Sequence, residues 1–162
     1  MSDLLPAITS TGTPDAPRVA LIGCGKAKRT TRAQALQLYT GRLFRAAADF
    51  ASVTHDETFI VSALHGLVPV EREVDPYDFT LARYSPEQRR AWGETVVAEL
   101  LQAVGVVPRV TVLMGESYAR WLRGPLARHG IEARYPLEGI PGIGPRVNAL
   151  QMLLEDVGGL PC

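Results

Sequence analysis

The chain is poor in cysteine: of 162 residues only Cys24 and Cys162 carry a thiol. Two cysteines, one of them terminal, build no disulfide framework and no Cys-x-x-Cys metal pair, and their scarcity fits a reducing cytoplasm. An excess of charge of one sign is also missing. Seventeen Lys and Arg balance seventeen Asp and Glu, which excludes a general attraction to nucleic acid or an anionic membrane and confines any such attraction to a local patch. No apolar run approaches the roughly 18 residues that a membrane span needs, so no membrane partner is expected. The opening "MSDLLPAITSTGTPDAP" lacks the basic start and apolar centre of a signal peptide and reads as a flexible arm over residues 1–17. Internal repeats and low-complexity stretches are absent too. What remains is 46% hydrophobic, long enough for one domain with a real core and too short for two. Residues 18–158 are assigned to it.

Strand-like and helix-like segments alternate along that domain. Val19, Ala20, Leu21 and Ile22 form an apolar run suited to a strand buried on both faces. "AQALQLYTGRLFRAAADFASV" is helix-prone, divided at Thr40-Gly41, with Leu43, Ala47, Phe50 and Ala51 on one face. "TFIVSA" (58–63) is a second strand. "VPVEREVDPYDFTLARY" is too polar and proline-marked for core and reads as a long excursion over one end of the sheet. Ser85, Pro86 and Gln88 spell a capped helix start, and Trp92, Val96, Leu100 and Val104 give it an apolar stripe that stops at Gly105. "RVTVLMG" (109–115) is a third strand, "ESYARWLRGPLARHG" a helix broken at Gly124-Pro125, and "IEARYPL" a short fourth strand. Gly144-Pro145 opens a last helix whose Val147, Leu150, Leu154 and Val157 share a face. The pattern predicts a single three-layer α/β/α domain around a mostly parallel sheet of about four strands, Rossmann-like or uracil-DNA-glycosylase-like. In such folds ligands bind at the carboxyl edge of the strands. "GCGKAK", "SALHGLVP" and "MGESY" all fall there.

The glycine loop is neither a Walker A loop nor a dinucleotide fingerprint, because Lys28 stands where the third glycine belongs. No cofactor is expected. Gly23 and Gly25 with Lys26 and Lys28 suit either an anion-binding turn or a basic surface turn. Cys24 is either a small buried residue or, beside lysines, a thiolate nucleophile. His65 follows a strand and precedes a glycine, a position that can point into a cleft and titrate near neutrality. His129 suits a helix end, and His55, near Asp56 and Glu57, reads as surface. These three histidines make no metal pattern, and no metal is expected. In "EVDPYDFTL", Asp75 and Asp78 flank Tyr77 and fit either proton transfer or a capped turn. Glu138 in "PLEGIPGIGPR" is a candidate to close a pocket, and Gly142–Gly144 has the look of a helix-hairpin-helix DNA-binding hairpin, although the segment before it reads as extended.

Cys24-Gly25-Lys26, Leu38-Tyr39-Thr40-Gly41, Ser62-Ala63 with His65-Gly66-Leu67, Asp75-Pro76-Tyr77-Asp78 and Pro136-Leu137-Glu138-Gly139, in that order, resemble an uncharacterised bacterial and phage domain family. Its members carry Ser-Cys-Gly-Lys-Lys-Lys, Tyr-Thr-Gly and Ser-Ala-Lys-His-Gly-Leu. The resemblance spans roughly residues 18–155; Gly23, Ala27 and Leu64 depart from it. More distantly, the cysteine and Lys-Tyr pattern is similar to the central domain of archaeosine synthase, a tRNA-modifying enzyme with a uracil-DNA-glycosylase-like fold. The two resemblances imply a nucleotide or nucleobase ligand, within DNA or tRNA or free. The expectation is therefore an enzyme working at a glycosidic bond or a base substituent. Cys24, His65, Asp75 and Asp78 are its candidate catalytic residues, and Gly23, Gly25, Lys26, Lys28, Tyr39, Tyr77 and Glu138 its binding residues. The alternative is a non-catalytic nucleic-acid-binding module using the basic loop and the Gly142–Gly144 hairpin. The sequence leaves the oligomeric state open.

Overall fold

Strand β1 (Val19–Gly23) is apolar on both sides because both sides are covered: Val19 to Ile22 are all at most 1% exposed. The computed structural model describes residues 17–107 and 109–158; the expected arm, save Pro17, and Cys162 lie outside them. β1 pairs in parallel with β3 (Glu57–Ser62) on one edge and β6 (Arg109–Leu113) on the other, so that Leu21 faces Phe59 and Val112 across the ladder. β4 (Gly66–Pro69) adds antiparallel to β3 and β7 (Glu132–Arg134) parallel to β6, giving the order β4-β3-β1-β6-β7. A two-stranded sheet of β2 (Ala33–Gln34) and β5 (Glu73–Val74) stands apart.

The period of two along β1 sorts the core into two halves. Val19 and Leu21 meet helix α3 (Pro86–Val104) and helix α4 (Glu116–Arg128) through Trp92, Val96, Leu100, Leu122 and Leu126. Ala20 and Ile22 meet α1 (Ala35–Leu38), α2 (Arg42–Thr54) and α5 (Ile143–Gly158) through Leu38, Phe44, Ala47, Ala51 and Leu150. The three-layer, mostly parallel α/β/α architecture expected from the sequence is the one adopted, with five strands in place of four. No helix among the described residues is long and apolar enough to cross a membrane. The Ser85 capping box is formed in full: Gln88 N donates to Ser85 Oγ at 3.1 Å and Ser85 N to Gln88 Oε1 at 2.8 Å.

Four local expectations are corrected. The excursion after β3 is not all surface: its start is the edge strand β4, Val68, Val74 and Leu81 are buried, and β5 fastens its middle to β2. Pro69 misled the reading, yet an edge strand tolerates a residue with no N–H to donate. Helix α4 runs unbroken through Pro125. Proline removes the hydrogen bond to the carbonyl four residues earlier, here that of Trp121, and this carbonyl lies directly over Gly93 of α3. A side chain at Gly93 would collide with it. Finally, His55 is half-buried, wedged between Thr54 (Nδ1 to Oγ1, 2.7 Å) and Thr111 of β6 (Nε2 to Oγ1, 2.9 Å). Because the Thr54 hydroxyl donates to Phe50 O, the arrangement fits a neutral ring protonated on Nδ1. Gly142–Gly144 is preceded by β7 and a turn, so no helix-hairpin-helix is built.

Two predictions follow from the packing. Gly93→Ala should cost about 3 kcal/mol, the scale of overpacking at a site that cannot yield, read as a lower urea midpoint at unchanged slope. Burial, and then Arg18, hold the His55 pKa below its ordinary 6.5, so the unfolded chain binds the proton more tightly and acid favours unfolding. Stability should fall as pH drops from 6.5 through the lower native value, and the fall should flatten in His55→Asn when ΔG is measured across pH 5 to 8.

Candidate functional site

The sheet divides at β1: the chain continues to β3 on one side and returns through β6 on the other, leaving a crevice between the carboxyl ends of β1 and β6, where doubly wound folds place their ligands. Gly23 makes that crevice tight. A Cβ there would lie 2.8 Å from Met114 Cβ, so the two strand ends approach only because the residue is glycine. Gly25 serves differently: its φ of +80° turns the chain away from the sheet.

A cavity of about 520 Å³ opens at the crevice. Gly23, Cys24, Gly25 and Met114 form its floor, and Phe44, Phe79, Tyr118 and Trp121 supply aromatic walls. Lys26, Lys28, Arg89 and Arg120 bring four cations to the lining and Asp78 a carboxylate. Helices α2 and α4 both begin beside it, at Gly41 and Gly115, and neither has a side-chain cap on its first-turn N–H groups. Their positive ends add to the local field.

Behind the floor lies a buried chain of hydroxyls. Ser62 is fully buried, and its Oγ accepts from the N–H groups of Leu64 (3.2 Å) and His65 (3.1 Å). With both lone pairs used, its own proton goes to Tyr77 Oη at 2.6 Å. Tyr77 Oη is also 2.6 Å from Tyr39 Oη, and its phenol acts on the Cys24 thiol to hold that pKa down. One phenol thus joins Ser62 to Tyr39. The Lys28 ammonium sits 4.5 Å from the centre of the Tyr77 ring and bonds Lys26 O at 3.0 Å. The Tyr39 phenol is pushed up to about 12 by burial, and burial likewise lifts that of Tyr77.

Of the two readings of Cys24, burial favours the small covered residue over the thiolate. Cys24 is 4% exposed and desolvation raises its pKa; donors at Ala63 and Tyr77 and the charge of Lys28 oppose that shift without overcoming it. Burial also lowers His65, with Arg72 adding to the effect, and its half-buried ring meets Tyr77 edge-on at 5.1 Å rather than lining the cavity.

Of the residues singled out from sequence, Gly23, Cys24, Gly25, Lys26, Lys28 and Asp78 line the cavity, and Tyr39 and Tyr77 stand behind it. Asp75 does not join them: it is exposed and paired with Arg32 at 3.1 Å, as is Glu73. Glu138 pairs with Arg123 at 3.2 Å and borders a separate cavity of about 380 Å³ beyond Met114. Among the described residues, no three His, Cys, Asp or Glu side chains gather as metal ligands. Sequence reasoning missed Phe44, Phe79, Arg89, Tyr118, Arg120 and Trp121 in the lining, and Ser62 behind it. Tyr118 and Trp121 are three apart at the start of a helix that leaves a strand end, a legible sign that one helical face points into the crevice.

Fold and site define a doubly wound α/β domain with an aromatic, cation-lined cleft at its switch point. The chain belongs to a family by its sequence as well: residues 19–152 match the model described as "Family of unknown function (DUF6884)". No curated protein is a significant match. The chain is similar, at 19% identity and a TM-score of 0.48, to the crystal structure of AF0587, a protein of unknown function. That similarity covers 86% of this chain and 46% of the other, so this chain spans less than half the length of the structure it matches.

The hydroxyl network makes the thiol testable. In a Cys162→Ser background, alkylation of Cys24 by iodoacetamide should be slow at pH 7.5 and climb beyond pH 9. Tyr77→Phe should slow it further at each pH, because the thiolate loses a donor. A faster rate would mean that Tyr77 shields the sulfur instead.

Proposed function

We propose that the chain is an enzyme acting on a nucleotide, nucleoside or nucleobase, by chemistry at the glycosidic bond or at a base substituent. The observation that carries this reading is the pairing of aromatic walls with cations in one cleft at the sheet's switch point. A planar base has π-faces that stack on Trp121 and Phe79, each such contact worth about 1–3 kcal/mol, while its polar edges meet Ser117, Tyr118 and the loop backbone. The distant resemblance to the archaeosine synthase central domain supports the same ligand class.

Within this reading Asp78 is the proton-transferring group, because it is the carboxylate that borders the cavity. A carboxylate there can activate a water or steady the positive charge that develops on a sugar as its base departs. Cys24 contacts the ligand from the floor as a neutral thiol, its pKa raised by burial. His65 and Tyr39 act through that phenol and do not touch the ligand. Asp75, paired with Arg32, is assigned no part in the chemistry.

The test is a thermal-shift panel of bases, nucleosides, nucleotides and short oligonucleotides, since a ligand of the folded state raises the melting temperature by mass action. At least one small member should do so, and Trp121→Ala should weaken it about tenfold or more, within the range of one lost stacking contact. Asp78→Asn should keep binding and lose turnover of that ligand, whereas Asp75→Asn should change neither. A panel with no stabilising member would sink the reading.

A further inference from the structure

We infer that the ligand of this cleft is anionic: a nucleotide carrying a phosphate monoester, its phosphate met by Lys26, Lys28 and Arg120, in place of a free base or neutral nucleoside. The inference rests on the proposed nucleobase reading and narrows it by charge.

The protein as a whole is neutral, with seventeen cations against seventeen anions. Among the described residues, five arginines outside the cleft are matched locally by acids. Arg18 pairs with Asp56, Arg32 with Glu73 and Asp75, Arg109 with Glu132, Arg123 with Glu116 and Glu138, and Arg128 with Glu94. The cleft differs in gathering four cations around one cavity. Among the described residues, none of Lys26, Lys28, Arg89 or Arg120 forms an ion pair with a carboxylate, and Asp78 is the single acid on the lining.

The contacts these cations do make hold them in place without neutralising them. Arg89 donates to the carbonyls of Leu81 (2.8 Å) and Ala82 (3.3 Å). Lys28 is held by Lys26 O and the face of Tyr77. Arg120 lies over the Trp121 ring, 5.0 Å from its centre. Carbonyls and ring faces orient a cation and leave its charge available. Low-dielectric walls then focus that field into the cleft. A free base or nucleoside would leave this charge uncompensated, whereas a phosphate monoester carries close to two negative charges at neutral pH. A volume near 520 Å³ lies in the range of small-molecule sites. The cations converge on one cavity, which suits one phosphate better than the repeating phosphates of a strand.

The experiment is calorimetric titration of the full chain at pH 7.5 with matched pairs, adenosine and AMP, guanosine and GMP, cytidine and CMP, uridine and UMP, alongside a ten-nucleotide single strand. For at least one pair the monophosphate should bind tenfold or more tightly than its nucleoside. That ratio should shrink in 0.5 M salt and in the double variant Lys26→Gln/Arg120→Gln. Both residues are exposed, and an unchanged melting temperature of the free variant would confirm its fold. Equal affinity for nucleoside and monophosphate would overturn the anion assignment while leaving the nucleobase reading intact. Binding of the oligonucleotide alone would also overturn it. Failure of every pair and of the strand would remove both.

Discussion

A strand buried on both faces and paired on both edges has no place for a polar group until it ends. β1 is such a strand, and the polar chemistry of the molecule begins at the residue where its covering stops. Gly23 brings the end of β1 against Met114 of the β6 turn, Gly25 bends the chain out, and between them Cys24 is left facing the crevice from below. The order β4-β3-β1-β6-β7 follows from the same constraint. The most apolar strand takes the centre, its crossovers go to opposite sides, and the gap they leave is the cleft.

Electrostatics in that cleft are governed by burial before charge. Lysines beside a thiol pull its proton off in water, but Cys24 is covered, and desolvation outweighs Lys28. The same covering raises both tyrosines that stand behind it. The result is a run of neutral O–H and S–H groups whose directions are set by counting lone pairs, with Ser62 as the fixed end. Ser62 holds the tight turn into β4 through two backbone N–H groups, and Trp92 Nε1 donates to its carbonyl at 3.1 Å. The edge hairpin, the α3 helix and the floor of the site therefore share one residue.

Much of the fold was legible because its signals are local. The apolar run of β1, the Ser85 capping box and the break at Gly41 each lie within a few residues, and each appears where the pattern put it. What escaped depended on partners distant in sequence. Pro69 argues against a strand unless that strand is an edge, and nothing in 66–69 says so. Pro125 argues against a helix unless the freed carbonyl is accommodated, and Gly93 is thirty-two positions earlier. In the site, the glycine loop and Asp78 were visible as motifs, but Asp75 looked equivalent to Asp78 until Arg32 claimed it. The walls were hidden for the same reason, since Phe44, Phe79 and Trp121 come from three segments and meet only in the folded chain.

Trp121 belongs to two structures at once. Its backbone carbonyl is lodged over Gly93 in the α3–α4 contact, its ring carries Arg120 on one face, and its side chain borders the cleft. A residue seated this way has little freedom left to surrender. A flat ligand laid against it would find a surface already set, so little of the contact energy would go into ordering the protein. Small displacements between α3 and α4 would then be felt inside the cleft, which makes the helix interface, remote from the glycine loop, a place where substitutions could retune recognition without touching a ligand.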